Sequence, residues 1–384
     1  MNQRHFSRQR VAVGAALLAV LGLALWRAWR GPPNQSQGSM AQGNRMASPP
    51  GSGAAAPVPV EARTSLRSAA KSLTGAAEAG SARQVFSQLR TLLSSLPPGA
   101  ASAVLGEFLD SKSDARSRLE FKVGPNGFLT EPSSLRVFLL DYLAQVDLPT
   151  AARYAESVLI SMDSPDEWAV SLRNYALANP TPGGRAYLQQ KLREMLRHQP
   201  WQKNPSVGFL EAFDVAVYAG GTELVPTLAE LLRQKENPAV AHAAYLALDR
   251  LVLADAASTL RRLQDEPDLL SSREATRADY FGRADVQDAT QRRVLEDYLL
   301  SPQLGAAELE QFAGLYPNAN FMISHNLLTR TPTPDHDTLV RRDAAALRVI
   351  QDWISDPRFA SLRPQLERIQ RRLENFLAPS RRGP

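Results

Sequence analysis

The chain has 384 residues, 44% of them apolar, no cysteine and a formal net charge of +5. That length and apolar content allow a substantial core in one long domain or two. The absence of cysteine excludes disulfides, thiolate metal sites, a cysteine nucleophile and a lipidated N-terminal cysteine. Residues 1–62 hold Arg4, Arg8, Arg10, Arg27, Arg30 and Arg45 against Glu61 alone, which accounts for the whole net charge. The remainder is balanced and lacks the one-signed field that a phosphate backbone requires, so no nucleic-acid partner is expected.

Residues 1–10 form a basic tail. From Val11 to Leu25 apolar residues run unbroken, bordered by Trp26, Arg27, Trp29 and Arg30. As a helix the run spans roughly 22 Å, or about 28 Å if it extends to Trp29, against a hydrocarbon core of roughly 30 Å. Arg27 can snorkel outward while the two Trp rings sit at the interface. The same features describe a cleavable signal peptide, with Gly22-Leu23-Ala24 as a small-x-small site. A retained transmembrane signal-anchor over 11–29 is the favoured reading, because the apolar run continues past Ala24 into an aromatic and basic border. Positive charge ahead of the run predicts a cytoplasmic N-terminus and a periplasmic or otherwise extracytoplasmic body. Residues 30–62, rich in Gly, Pro, Ser, Ala and Gln, read as a disordered linker with ends about 30 Å apart.

Residues 63–378 read as an all-α domain. One segment departs from the helical pattern. Leu119 to Val123 and Phe128 to Thr130 are short β-like runs around Gly124-Pro125-Asn126-Gly127, either a β-hairpin laid on the first helices or an ordered loop near 119–130. Its expected role is to seal the end of the array, the alternative being an edge offered to a partner strand. After it, apolar stripes recur with helical spacing. They run through Leu135, Phe138, Leu139, Tyr142 and Val146, then Ala151, Ala155, Val158, Leu159 and Met162, then Trp168, Leu172, Tyr175 and Ala176. Ser164-Pro165-Asp166-Glu167 predicts a helix start, with Ser164 as cap and Glu167 closing a capping box. Gly183-Gly184 and Gly220-Gly221 mark turns. Leu224, Leu228, Leu231 and Leu232 precede Asn237-Pro238, and Val240, Ala244, Ala247, Leu248 and Leu251 follow it. Asp335 and Asp337 suit the first turn of a helix. Leu366, Ile369, Leu373, Phe376 and Leu377 make a final stripe, and 379–384 read as a disordered tail.

The second helices of successive pairs are expected to begin near Pro149, Pro182, Thr222 and Ala256, a repeat of about 33 to 40 residues. Within 205–263, Thr222 to Leu232, then Asn237-Pro238-Ala239-Val240, then Ala243-Ala244, Ala247-Leu248 and Leu251, resemble a HEAT repeat of the armadillo type. In that family a Pro-kinked first helix is followed by a short polar turn and an Ala/Leu-rich second helix. Ala241 stands where the family commonly has Arg. The resemblance implies an α-solenoid of helical hairpins and a surface for other macromolecules, with no catalytic residues.

A search for chemistry yields no catalytic, cofactor-binding or metal-ligating set. His5, His198, His242, His325 and His336 are not spaced for a shared ion, and Asp335-His336-Asp337 diverge on a helix. No nucleophile elbow, phosphate loop or dinucleotide fingerprint occurs. Paired arginines at 261–262, 292–293, 341–342 and 371–372 read as solvated faces or inter-repeat salt bridges, the alternative being a binding ladder. The expected function is a non-enzymatic, membrane-anchored scaffold, without cofactors, that docks a protein partner, either soluble or itself held in the membrane. The layout of anchor, spacer and helical body is also similar to that of membrane-anchored lipase foldases, which implies a tethered folding factor for an exported enzyme. The foldase signature R-x-x-F-D-Y has its nearest counterpart in Arg277-Ala278-Asp279-Tyr280-Phe281, in a different order.

Overall fold

Four α-helix starts among the described residues are written as a polar cap followed by a proline. Asp147, Ser164, Thr181 and Asn237 each accept a hydrogen bond from an amide of the helix they begin, and Pro149, Pro165, Pro182 and Pro238 fill first-turn positions whose N–H would have no partner. The computed structural model describes residues 59–75, 78–320, 326–330 and 333–378. The basic tail 1–10, the expected anchor 11–29, the linker as far as residue 58 and the tail 379–384 lie outside the described residues.

Three helices open the body: α1 (Val60–Gly75), α2 (Ala79–Ser94) and α3 (Pro98–Asp110). The antiparallel strands β1 (Lys122–Val123) and β2 (Leu129–Glu131) follow, paired Lys122 to Glu131 and Val123 to Leu129. Next come α4 (Leu135–Val146), α5 (Leu148–Val158), α6 (Pro165–Ala178) and α7 (Pro182–Leu196). Three short helices, α8 (Gln199–Lys203), α9 (Val207–Glu211) and α10 (Phe213–Ala219), lead to α11 (Val225–Arg233), α12 (Pro238–Ala254) and α13 (Ala256–Asp265). The chain continues through α14 (Glu274–Phe281), α15 (Ala289–Leu299) and α16 (Ala306–Leu315). After a long connection, α17 (His336–Ser355) and α18 (Arg363–Leu377) close it. Helix packs on helix throughout, with α5 against α6, α11 against α12 and α17 against α18. Among the described residues no helix is long and apolar enough to cross a membrane.

The apolar stripes form the core. Phe138, Trp168, Leu172, Leu228, Leu248 and Ile369 are all buried. The hairpin is present, and α2 covers the outer edge of β2. Arg90 donates to the carbonyls of Leu129 and Thr130, and Arg83 pairs with Glu131.

Four details differ from the sequence reading. The helical body begins at Val60, so residues 60–62, read as linker, belong to α1. Pro226 lies in the first turn of α11, where it costs no hydrogen bond, so the helix starts at Val225 and is not kinked. Ser164 caps α6, but the Glu167 carboxylate does not close the capping box; Arg136 of α4 takes it in a forked pair. Phe376, placed on the last stripe, is 69% exposed, because no later element covers the final turn of α18 among the described residues.

The register of α11 can be tested directly. Leu228 is fully buried and Glu230 exposed. Leu228→Asp should cost roughly 3 kcal/mol or more, and Glu230→Ala close to nothing. Thermal denaturation of the two variants decides; equal melting temperatures would refute the register.

Candidate functional site

Three acidic residues stand inside otherwise apolar helical runs: Asp141 in α4, Asp214 in α10 and Asp249 in α12. Each is buried, and each meets an arginine 32 to 36 residues further on. Arg173 Nη1 lies 2.5 Å from Asp141 Oδ1, Arg250 Nη2 lies 2.8 Å from Asp214 Oδ1, and Arg283 binds both oxygens of Asp249 at 2.9 Å. Burial pushes the Asp141 and Asp249 carboxyls above the ordinary range, against the pull of their arginines.

What these pairs have in common is what fills their remaining hydrogen-bonding capacity. Asp141 also accepts from the Leu129 amide at 3.1 Å, and Arg173 donates to the Gly127 carbonyl at 2.9 Å. Asp214 accepts from the amides of Leu328 and Thr329 at 2.6 and 3.0 Å, and from the Thr329 hydroxyl. Arg283 donates to the carbonyls of Asn318 and Asn320. Each buried pair thus grips main chain of a non-helical segment, either the hairpin or the connection between α16 and α17. The two segments also meet each other. A Cβ on Gly127, whose φ is +82°, would lie 2.4 Å from the Leu327 carbonyl, and Arg330 donates to the Pro125 carbonyl.

Beside residues 326–330 a hollow of about 240 Å³ opens between α9, α10 and α12. Leu210, Leu246 and Leu253 give it apolar walls, Leu253 being 44% exposed. Its polar groups are Glu211, Asp214, Arg250, His242 and Asn326. Asp166 of α6 fixes α9 by accepting the Gly208 amide at 3.1 Å; a Cβ there would meet the carboxylate at 2.3 Å. Burial, and next the neighbouring Asp214 charge, push Glu211 from 4.5 up to about 7, while Arg250 pulls it down.

No family model, curated protein or solved structure matches this chain.

No site residue is expected from the sequence, and no motif marks the buried groups just described. Their signal was an acid embedded in Leu140-Asp141-Tyr142, Phe213-Asp214-Val215 and Leu248-Asp249-Arg250, with arginines one repeat later. Among the described residues no group of three His, Asp or Glu side chains is placed to hold a metal. His198 packs edge-on to Trp201, His242 stacks on Tyr245 and His336 begins α17, while His5 and His325 lie outside the described residues. Asp335 caps α17 through the Thr338 amide. Asp166 binds Ser133 as well as Gly208, so neither it nor Glu167 acts as a cap. Of the paired arginines, Arg261 binds Asp297, whereas Arg342 and Arg372 are half-buried and donate to carbonyls of Arg283 and Ala313. In the stretch nearest the foldase signature, Tyr280 and Phe281 are fully buried and Arg277 pairs with buried Glu308 at 3.6 Å.

Glu211 gives a pH signature. Its acidity is weaker folded, at about 7, than at its ordinary 4.5. Its contribution to stability is therefore complete below pH 4.5 and is lost as pH rises through 7. Glu211→Gln should raise the melting temperature relative to wild type at pH 8 and leave it unchanged at pH 4. A difference of equal size at both pH values would contradict the assignment.

Proposed function

We propose that the chain is a non-enzymatic scaffold, a HEAT-like array of helical pairs that docks a protein partner. Residues 11–29 hold it at a membrane, with the N-terminus cytoplasmic and the body outside the cytoplasm. The observation that carries this reading is the walled hollow at Glu211, open beside a main-chain segment that the helices already grip. The repeat is supported by α5, α7, α11 and α13, which begin at Leu148, Pro182, Val225 and Ala256. Docking is favoured over catalysis because Arg250 and Arg283 neutralise Asp214 and Asp249, leaving Glu211 with no hydroxyl nucleophile among the lining residues. A partner in the same membrane would meet the body at raised effective concentration.

The test places a photocrosslinking residue at Leu253 in the full-length chain and irradiates intact membranes. Ile160 and Leu300, also exposed, serve as comparison positions. A discrete polypeptide adduct from position 253 alone, digested by protease added from outside, is the expected result. Lack of an adduct at 253 would sink the docking reading, and a protease-protected adduct would reverse the topology.

A further inference from the structure

The charges of the hollow do not cancel. Asp214 is paired with Arg250 and Asp249 with Arg283, whereas Glu211, also part-buried, accepts no hydrogen bond among the described residues. A part-buried carboxylate without a partner is unfavourable, so the occupant that gains most there brings a positive charge. The volume of about 240 Å³ lies below the roughly 300–1,000 Å³ of pockets for drug-sized ligands, and is suited to one side chain.

We propose that this hollow is the socket for a single lysine side chain on an extended segment of the partner, its aliphatic stem lying between Leu210, Leu246 and Leu253 and its ammonium on Glu211. The inference rests on the docking reading above and names the chemistry of the partner. Lysine fits because a compact ammonium needs one carboxylate, and four methylenes match the apolar walls. Arginine would present a planar fork beside the Arg250 guanidinium. An acidic side chain would face Glu211 and Asp214 together, and a wholly apolar one would leave Glu211 buried and unpaired. Extended main chain is the natural carrier, because the neighbouring residues 326–330 are themselves non-helical and held by Asp214.

Binding must depend on pH. Glu211, at about 7, is largely protonated at pH 6 and ionised at pH 8, so affinity for a cation rises across that interval. The charged groups facing it are Asp214 from α10 and Arg250 from α12, with Asp249 and His242 of α12 also in the lining; α6, packed on α9, contributes no lining residue. Histidine gains positive charge as pH falls and would act in the same direction, so His242→Gln separates the two.

The probe is a labelled Ala/Gly peptide with one central lysine, titrated by fluorescence anisotropy against the full-length chain in detergent micelles. Control peptides carry glutamine or arginine instead. Bound lysine peptide is then coupled with a carbodiimide, which joins amine and carboxyl as an amide and takes up the water, and the joined residue is read by mass spectrometry. The expected result is preferential binding of the lysine peptide, stronger at pH 8 than at pH 6, with coupling at Glu211. Glu211→Gln should weaken binding at pH 8 by about tenfold and abolish the pH dependence, with an unchanged circular dichroism spectrum, while His242→Gln retains it. Equal binding of the glutamine or arginine peptide would overturn the proposal. So would coupling of free pentylamine as efficient as that of the peptide, or coupling of Glu211 to a second copy of the chain. If position 253 captures a partner yet the lysine peptide fails, the lysine socket falls and the docking surface stands.

Discussion

An ion pair taken out of water stabilises nothing unless its leftover donors and acceptors also find partners, because desolvation of the two charges offsets their attraction. A guanidinium has five N–H donors and a carboxylate about four acceptor sites, so a single pair leaves most of that capacity unused. In this protein the helices bring Asp141 to Arg173, Asp214 to Arg250 and Asp249 to Arg283, and non-helical main chain supplies the missing bonds. Hairpin and connection are therefore held in the same way. The Leu129 amide and Gly127 carbonyl satisfy the first pair, Leu328 and Thr329 the second, and the carbonyls of Asn318 and Asn320 the third.

The proposed docking site lies where this pattern is incomplete. Glu211 is placed one helical turn from Asp214, on an α9 pinned by Asp166 through Gly208, but among the described residues no ion pair holds it: the Arg250 guanidinium is bound to Asp214. The nearby main chain of Leu328 and Thr329 donates to Asp214. Burial and the Asp214 charge push the Glu211 carboxyl up to about 7, against the pull of Arg250. The three buried pairs are satisfied by main chain, and the docking site proposed above uses the same chemistry at Glu211, which accepts no hydrogen bond among the described residues.

The sequence revealed the helices well because their information is local. Stripes such as Leu135, Phe138 and Leu139, and caps such as Ser164 and Asn237, are set by residues three or four apart. Errors arose where a residue had a tertiary alternative. Glu167 could have closed its own capping box, but Arg136 from α4 offers a forked, charge-assisted pair instead. Phe376 fits the stripe of α18, yet nothing among the described residues covers that last turn. The buried pairs were hidden for a different reason. An aspartate amid leucines reads as a single oddity until the helix one repeat away is stacked beside it. The Thr329 bond to Asp214, across 115 residues, has no local trace at all.

The central claim is that buried acid–base pairs, rather than apolar packing alone, hold the non-helical segments to the helices. Hydrogen–deuterium exchange on Asp214→Asn, which keeps the shape of the side chain but not its charge, tests it most directly. The account predicts several-fold faster exchange in peptides covering 326–330, with α1, α2 and α3 unchanged from wild type. Unaltered protection of 326–330 in that variant would contradict it.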